Sequence, residues 1–174
     1  MHLAYVTTIQ RGETDRLLSA FAERLEAQGV SLAGVVQTNT ECADNAKCDM
    51  DLRVLSGTGE VIRISQSLGA GSRGCRLDPA ALEQSVGLVS AALEEQPRLL
   101  IINKFGKHEA DGRGFRPIIG EALARDIPVL VGVNGLNEER FVEFSEGVAE
   151  KVSADLDAIS NWLDRVAPQA TQAA

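Results

Sequence analysis

Apolar residues recur along this chain in two periods, and the two alternate. "LAYVTTI" near the start is a continuous apolar and β-branched run. In "ETDRLLSAFAERLEAQG", Leu17, Leu18, Phe21, Ala22 and Leu25 fall on one helical face, and Gly29 supplies a stop. "VSLAGVVQ" is strand-like again. "DPAALEQSVGLVSAALEEQ" opens with Asp78 as N-cap and Pro79 at the first helical position. "RLLIIN" is the unbroken apolar run expected of a central parallel strand. "GFRPIIGEALARD" reads as a helix with Pro117 near its first turn, and "IPVLVGV" as another buried strand. "SADLDAISNWLDRV" reads as a closing helix that Ser153 is placed to cap. The expected strands are therefore 2–8, 30–37, 98–103 and 127–133, with a contribution from 50–65.

Strand–helix alternation with buried runs predicts an α/β fold of three layers, a mostly parallel sheet with helices on both faces. One domain over 1–166 is expected, with a small, polar tail at 167–174. Residues 38–78 break the alternation as an insertion. There "DLRVL", "SGTG" and "EVIRIS" predict a hairpin, and "QSLGAGSRGCRLD" a glycine-rich loop. Long irregular insertions of this kind are more often functional than accidental.

Composition narrows the function classes. The 174 residues carry a net charge of -8 and a pI near 4.8, which argues against general binding to nucleic acid or an anionic membrane. No apolar run approaches the roughly 20 residues that cross a bilayer. No basic segment followed by an apolar one opens the chain, so no export signal is expected and a cytoplasmic location is. Cys42, Cys48 and Cys75 are then free thiols; their spacing is too wide for the usual zinc pair, and no metal site is assigned.

Chemistry concentrates in three loops. The first lies between the opening strand and its helix, where a P-loop would end Gly-Lys-Ser/Thr. Aligned on that ending, Thr7 takes the first glycine position, Gly12 the second, Glu13 the lysine and Thr14 the magnesium ligand. A carboxylate in place of the lysine reverses an interaction of about 4 kcal/mol at ~4 Å and an effective dielectric near 20. Triphosphate is disfavoured, although the free N–H groups of a helix N-terminus still suit a smaller anion. The plain alternative is a strand–helix turn in which Glu13 and Asp15 favour the helix N-terminus.

The second loop, "NKFGKHEADGRGFR", follows the central strand, where open parallel sheets bind ligands. It offers Asn103, Lys104, Lys107, Glu109 and Arg113. Asn103 stands roughly where a magnesium-binding carboxylate would be, and Glu109 is the nearby substitute. The third loop, "GAGSRGCR", offers Gly69, Gly71, Ser72, Gly74, Cys75 and Arg76, whose backbone donors and forked charge suit an oxyanion. The helix and strand from Asp78 to Asn103 run out and back, so the second and third loops are expected to be neighbours. The alternatives are a solvated basic loop and a surface loop.

"LLIINKFGKHEADGRGF", "SLGAGSRGCRLDPAAL" and the opening strand–loop–helix together resemble a bacterial family of unknown function. The resemblance spans roughly residues 2–150. That family resembles the P-loop nucleoside-triphosphatases in fold and is associated with molybdenum-transport proteins. The resemblance implies a degenerate P-loop frame, a molybdate- or tungstate-like ligand, and molybdenum-transport or cofactor proteins as partners. The first reading is thus a small-oxyanion-binding protein with no catalytic residue assigned. The second is a nucleotide-binding protein or NTPase, using ATP with magnesium, in which Lys104 or Arg11 replaces the missing lysine. The third is a partner-binding module without a ligand. A homo-oligomer stays open.

Overall fold

A strand whose residues are apolar on both faces must be covered on both faces, and this requirement organises the chain. The computed structural model describes residues 1–39, 49–57, 59–66 and 76–168. Its strands are β1 (Leu3–Val6), β2 (Leu32–Asn39), β3 (Met50–Val54), β4 (Val61–Arg63), β5 (Leu99–Phe105), β6 (Val129–Val133) and β7 (Glu150–Lys151). Its helices are α1 (Glu13–Ala27), α2 (Pro79–Leu93), α3 (Lys107–Ala110), α4 (Arg116–Ala124), α5 (Glu138–Phe144) and α6 (Leu156–Val166), with a 3-10 turn at Gly135–Asn137.

The seven strands form one sheet in the order β4-β3-β2-β5-β6-β1-β7. β2, β5, β6, β1 and β7 run parallel, while β3 and β4 join antiparallel on the β2 side. The hairpin expected within the insertion is these last two strands. The pleat sends alternate side chains to opposite faces. Leu3, Tyr5, Leu100, Ile102, Val129 and Val131 pack with Leu82, Val89, Ile118 and Phe141 of α2, α4 and α5. Ala4, Val6, Leu99, Ile101 and Leu130 pack with Leu18, Phe21, Ile159 and Trp162 of α1 and α6. The three-layer α/β architecture is therefore as expected, and no helix among the described residues is long and apolar enough to cross a membrane.

The boundaries differ where tertiary contacts override local pattern. β1 stops at Val6 because Thr7 and Thr8 turn into the first loop. β5 runs past Asn103 to Phe105, whose buried ring meets Phe141 edge-on at 5.0 Å. The last helix is capped not by Ser153 but by Asp155, which accepts from the Ala158 N–H at 2.8 Å. Asp78 caps α2 as its sequence position predicts, accepting from Ala80 and Ala81. The sequence pattern misses α5 and the two-residue β7, because seven and two residues are too short to show a period.

One glycine is dictated by strand spacing. Gly34 of β2 has φ +113°, and a Cβ there would strike the Ile101 backbone of β5. Gly34→Ala is expected to destabilise the fold by about 2–4 kcal/mol through overpacking and backbone strain. Thermal denaturation checks this; a melting temperature unchanged from the wild type would show that the β2–β5 contact is softer than its geometry implies.

Candidate functional site

Parallel strands deliver their following loops to one edge of the sheet. At the carboxyl ends of β1, β5 and β6 those loops enclose a cavity of about 580 Å³. Its wall comprises residues 7–12 of the first loop, Thr14 and Asp15 of α1, Lys104 of β5, Val133 at the end of β6 with residues 134–136 after it, and Glu138 and Lys151. Gly12 and Thr14 of the first loop and Lys104 of the second, candidates from two sequence motifs, therefore share one cavity with Arg11.

The first loop has a defined geometry. Gly12 has φ +76° and its carbonyl accepts the Arg16 N–H at 3.1 Å, opening α1. The hydroxyls of Thr8 and Thr14 lie 2.8 Å apart, closing the loop on itself. Glu13, at the position of a P-loop lysine, is exposed and does not line the cavity. Its charge therefore opposes an anion less than the sequence alignment implies.

Asp15 behaves differently. It is buried, and its Oδ1 accepts from Asn103 Nδ2 at 3.0 Å while its Oδ2 lies 4.0 Å from Lys104 Nζ. Sequence reasoning treated Asp15 as a helix-dipole residue; the structure makes it the link between α1 and the end of β5. Asn103 is fully buried, and its Oδ1 has no hydrogen-bond partner among the described residues. Gly132 lets this cluster form, since a Cβ there would come within 3.0 Å of Asn103, Leu18 and Thr14.

In the same cavity lining, Glu138 Oε1 accepts from Lys151 Nζ at 2.7 Å and from Tyr5 Oη at 3.0 Å. The lysine's hydrogen bond holds the Glu138 carboxyl below the usual carboxylate range, and the same bond raises Lys151. Burial, followed by the Glu138 contact, pushes the Tyr5 hydroxyl up. Nothing in the sequence pattern singled out Lys151 or Glu138, which belong to short elements without periodicity.

A second cavity, of about 180 Å³, lies beside the first. Asn103, Lys104, Lys107 and Glu109 line it, together with Leu77 just before α2, Leu82 of α2, and Met50, Leu52 and Ile64 of the β3–β4 hairpin region. Lys104 borders both cavities. Arg76 is next to Leu77, and its Nη2 lies 3.4 Å from Asp49 Oδ1. Gly69, Gly71, Ser72, Gly74 and Cys75 lie outside the described residues, as do Cys42 and Cys48. Arg113 is exposed on the turn before α4. Glu109 is buried, accepting from the Gly106 N–H at 2.9 Å and from the Phe115 N–H at 3.2 Å. Both of its oxygens thus brace the loop that presents Lys107.

The family described as "Protein of unknown function (DUF2478)" matches residues 3–162. The molybdenum import ATP-binding protein ModC 2 of Bradyrhizobium diazoefficiens is 34% identical over 151 residues, covering 86% of this chain and 17% of that relative. This chain thus spans about one sixth of that relative's length, and the relative's name describes the whole protein. The solution structure of a human cancer-related nucleoside triphosphatase has a TM-score of 0.66 and 16% identity, covering 98% of this chain and 100% of its own. At that identity the likeness is one of fold.

The bracing role of Glu109 has a measurable consequence. Glu109→Ala leaves two backbone N–H groups without their acceptor, one of them in a buried setting. A loss of about 2–4 kcal/mol in stability is expected. Urea unfolding measures it, and a loss well under 1 kcal/mol would mean that the loop holds itself by other contacts.

Proposed function

With the chain belonging to the DUF2478 family and carrying a P-loop nucleoside-triphosphatase-like fold, we propose that it binds a small oxyanion in the cavity at the first loop. The observation that carries this reading is local. Arg11, Lys104 and Lys151 share one cavity with the hydroxyl-bearing Thr8 and Thr14, in a chain whose net charge is -8. Such a concentration of donors against the global field suits an anion. Molybdate or tungstate is the leading candidate, since the relative named for molybdenum import aligns with most of this chain. A molybdenum-transport or cofactor protein is the corresponding partner.

Nucleotide binding is the second reading, favoured by the room available. A cavity of about 580 Å³ is in the range of organic-ligand sites and larger than one tetrahedral anion fills. Lys104 then substitutes for the lysine missing at position 13. The glycine-rich loop ending at Arg76 is proposed to contribute through the neighbouring cavity, with Lys104 between the two.

Calorimetry with molybdate, tungstate, phosphate and ATP–magnesium separates these readings. Lys104→Ala is expected to weaken binding of the preferred ligand about tenfold, corresponding to ~1.4 kcal/mol. Arg76→Ala weakens it only if the ligand reaches the second cavity. Absence of binding by every one of these ligands at millimolar concentration would discard the site and leave the partner-binding module.

Magnesium-dependent ATP or GTP hydrolysis is expected to be negligible. Position 13 lacks the phosphate-binding lysine, and Asn103 replaces a metal-binding carboxylate at the end of β5. Turnover by purified protein that disappears in Lys104→Ala would overturn this expectation in favour of an NTPase.

A further inference from the structure

We propose that the first cavity takes an organic phosphate ester, its anionic head at the floor and a flat apolar group against Ile9 and Leu136 at the mouth; this deepens the reading of that cavity as an anion site and rests on it. Ile9 and Leu136 both line the cavity. Among the described residues they are the two most exposed large apolar side chains, at 104% and 92%. Single exposed apolar residues are ordinary on a protein surface. These two come from loops far apart in sequence and meet at one cavity.

Both are carried by turns that polar contacts hold in shape. Asn134 Oδ1 accepts the Leu136 N–H at 3.0 Å, and the Asn134 carbonyl accepts the Asn137 N–H at 2.8 Å. On the first loop, the Thr8 hydroxyl donates to the Gln10 carbonyl at 3.2 Å, and that carbonyl accepts the Glu13 N–H at 3.3 Å. Backbone and polar side chains are thus satisfied locally, while the two aliphatic side chains are left facing water.

Depth sorts the chemistry of the wall. Asp15 is buried and Lys104 and Thr14 are half-buried, so ionic and hydroxyl groups stand at the floor. Ile9 and Leu136 stand at the mouth. A ligand that matches this order is anionic at one end and apolar at the other. The volume, about 580 Å³, leaves room beyond a single tetrahedral anion. Covering either aliphatic side chain removes apolar surface from water, which a bare oxyanion cannot do. A flat ring does so with one rigid surface, whereas a flexible alkyl chain would first have to be ordered. Contact with aliphatic groups reads the face of a ring and not its edge, so ring area governs affinity. A nucleotide is one member of this ligand class.

Calorimetry on the full chain tests this with methyl, phenyl and naphthyl phosphate, at about pH 8 where each head is a dianion, and with molybdate as the bare oxyanion. The three esters share one head and differ in ring area. Affinity is expected to rise about fivefold from methyl to phenyl phosphate and further to naphthyl phosphate. Ile9→Ser combined with Leu136→Ser is expected to bring both aryl esters down to the level of methyl phosphate. Lys104→Ala is expected to weaken all three esters about tenfold, which places the head in this cavity. Binding of the aryl esters with methyl phosphate below detection would support the proposal, provided that the double variant abolishes it. A rise along the series that survives the double variant would put the ring elsewhere and overturn the proposal. Equal affinity for the three esters would overturn it while leaving the anion site standing. Binding of molybdate with no binding of any ester would do the same. Absence of binding by every probe would overturn the site and its apolar mouth together. Both substituted side chains are exposed, so an unchanged melting temperature is expected. Should the double variant melt early, each single variant is expected to weaken phenyl phosphate about twofold, and unchanged affinity in both would overturn the proposal.

Discussion

A buried carboxylate in the first turn of α1 sets the geometry of the candidate site. Asp15 loses most of its water, and such burial is tolerated only with compensating donors. Asn103 and Lys104, two consecutive residues at the end of β5, stand at 3.0 and 4.0 Å from its two oxygens. This ties the first loop to the central strand across β6, where Gly132 leaves room for the approach. The contact fixes the wall of the cavity. It also sets Lys104, the residue common to both cavities, beside the first loop.

Charge pairing runs through the whole edge. Lys104 faces Asp15, Lys151 faces Glu138 and Arg76 faces Asp49. In an acidic chain, these cations are held by local carboxylates instead of standing as an open positive patch. The consequence for recognition is that affinity depends on what an incoming anion displaces as well as on what it touches. The Lys151–Glu138 pair is the most exposed of the three, and exposed pairs contribute little to stability, typically about 0–1 kcal/mol. Its position on the cavity wall therefore weighs more for the ligand than for folding.

Much of the scaffold was legible because strand and helix patterns are local. The apolar runs at 30–37, 98–103 and 127–133 became β2, β5 and β6, and the hairpin within 50–65 became β3 and β4. Asp78 and Pro79 marked the start of α2 correctly, because capping chemistry involves only neighbouring residues. Ser153 was a wrong cap for α6, since both Ser153 and Asp155 are suitable residue types and only the backbone turn between them chose Asp155.

The site divides in the same way. Gly12, Thr14, Lys104 and Glu109 could be picked out as loop residues with useful chemistry, but their partners could not. Glu109 turned inward to brace a loop, because two backbone N–H groups required an acceptor there. Lys151 reached the cavity from a two-residue strand distant in sequence from Thr14, and Glu138 from a seven-residue helix. The sequence by itself determined the α/β elements and the loops that carry polar chemistry, since periodicity and capping are set by residues close along the chain. The sheet order alone decided that Lys104, Lys151 and the first loop share one cavity, because strand neighbours are chosen by long-range packing and pairing that no local pattern encodes.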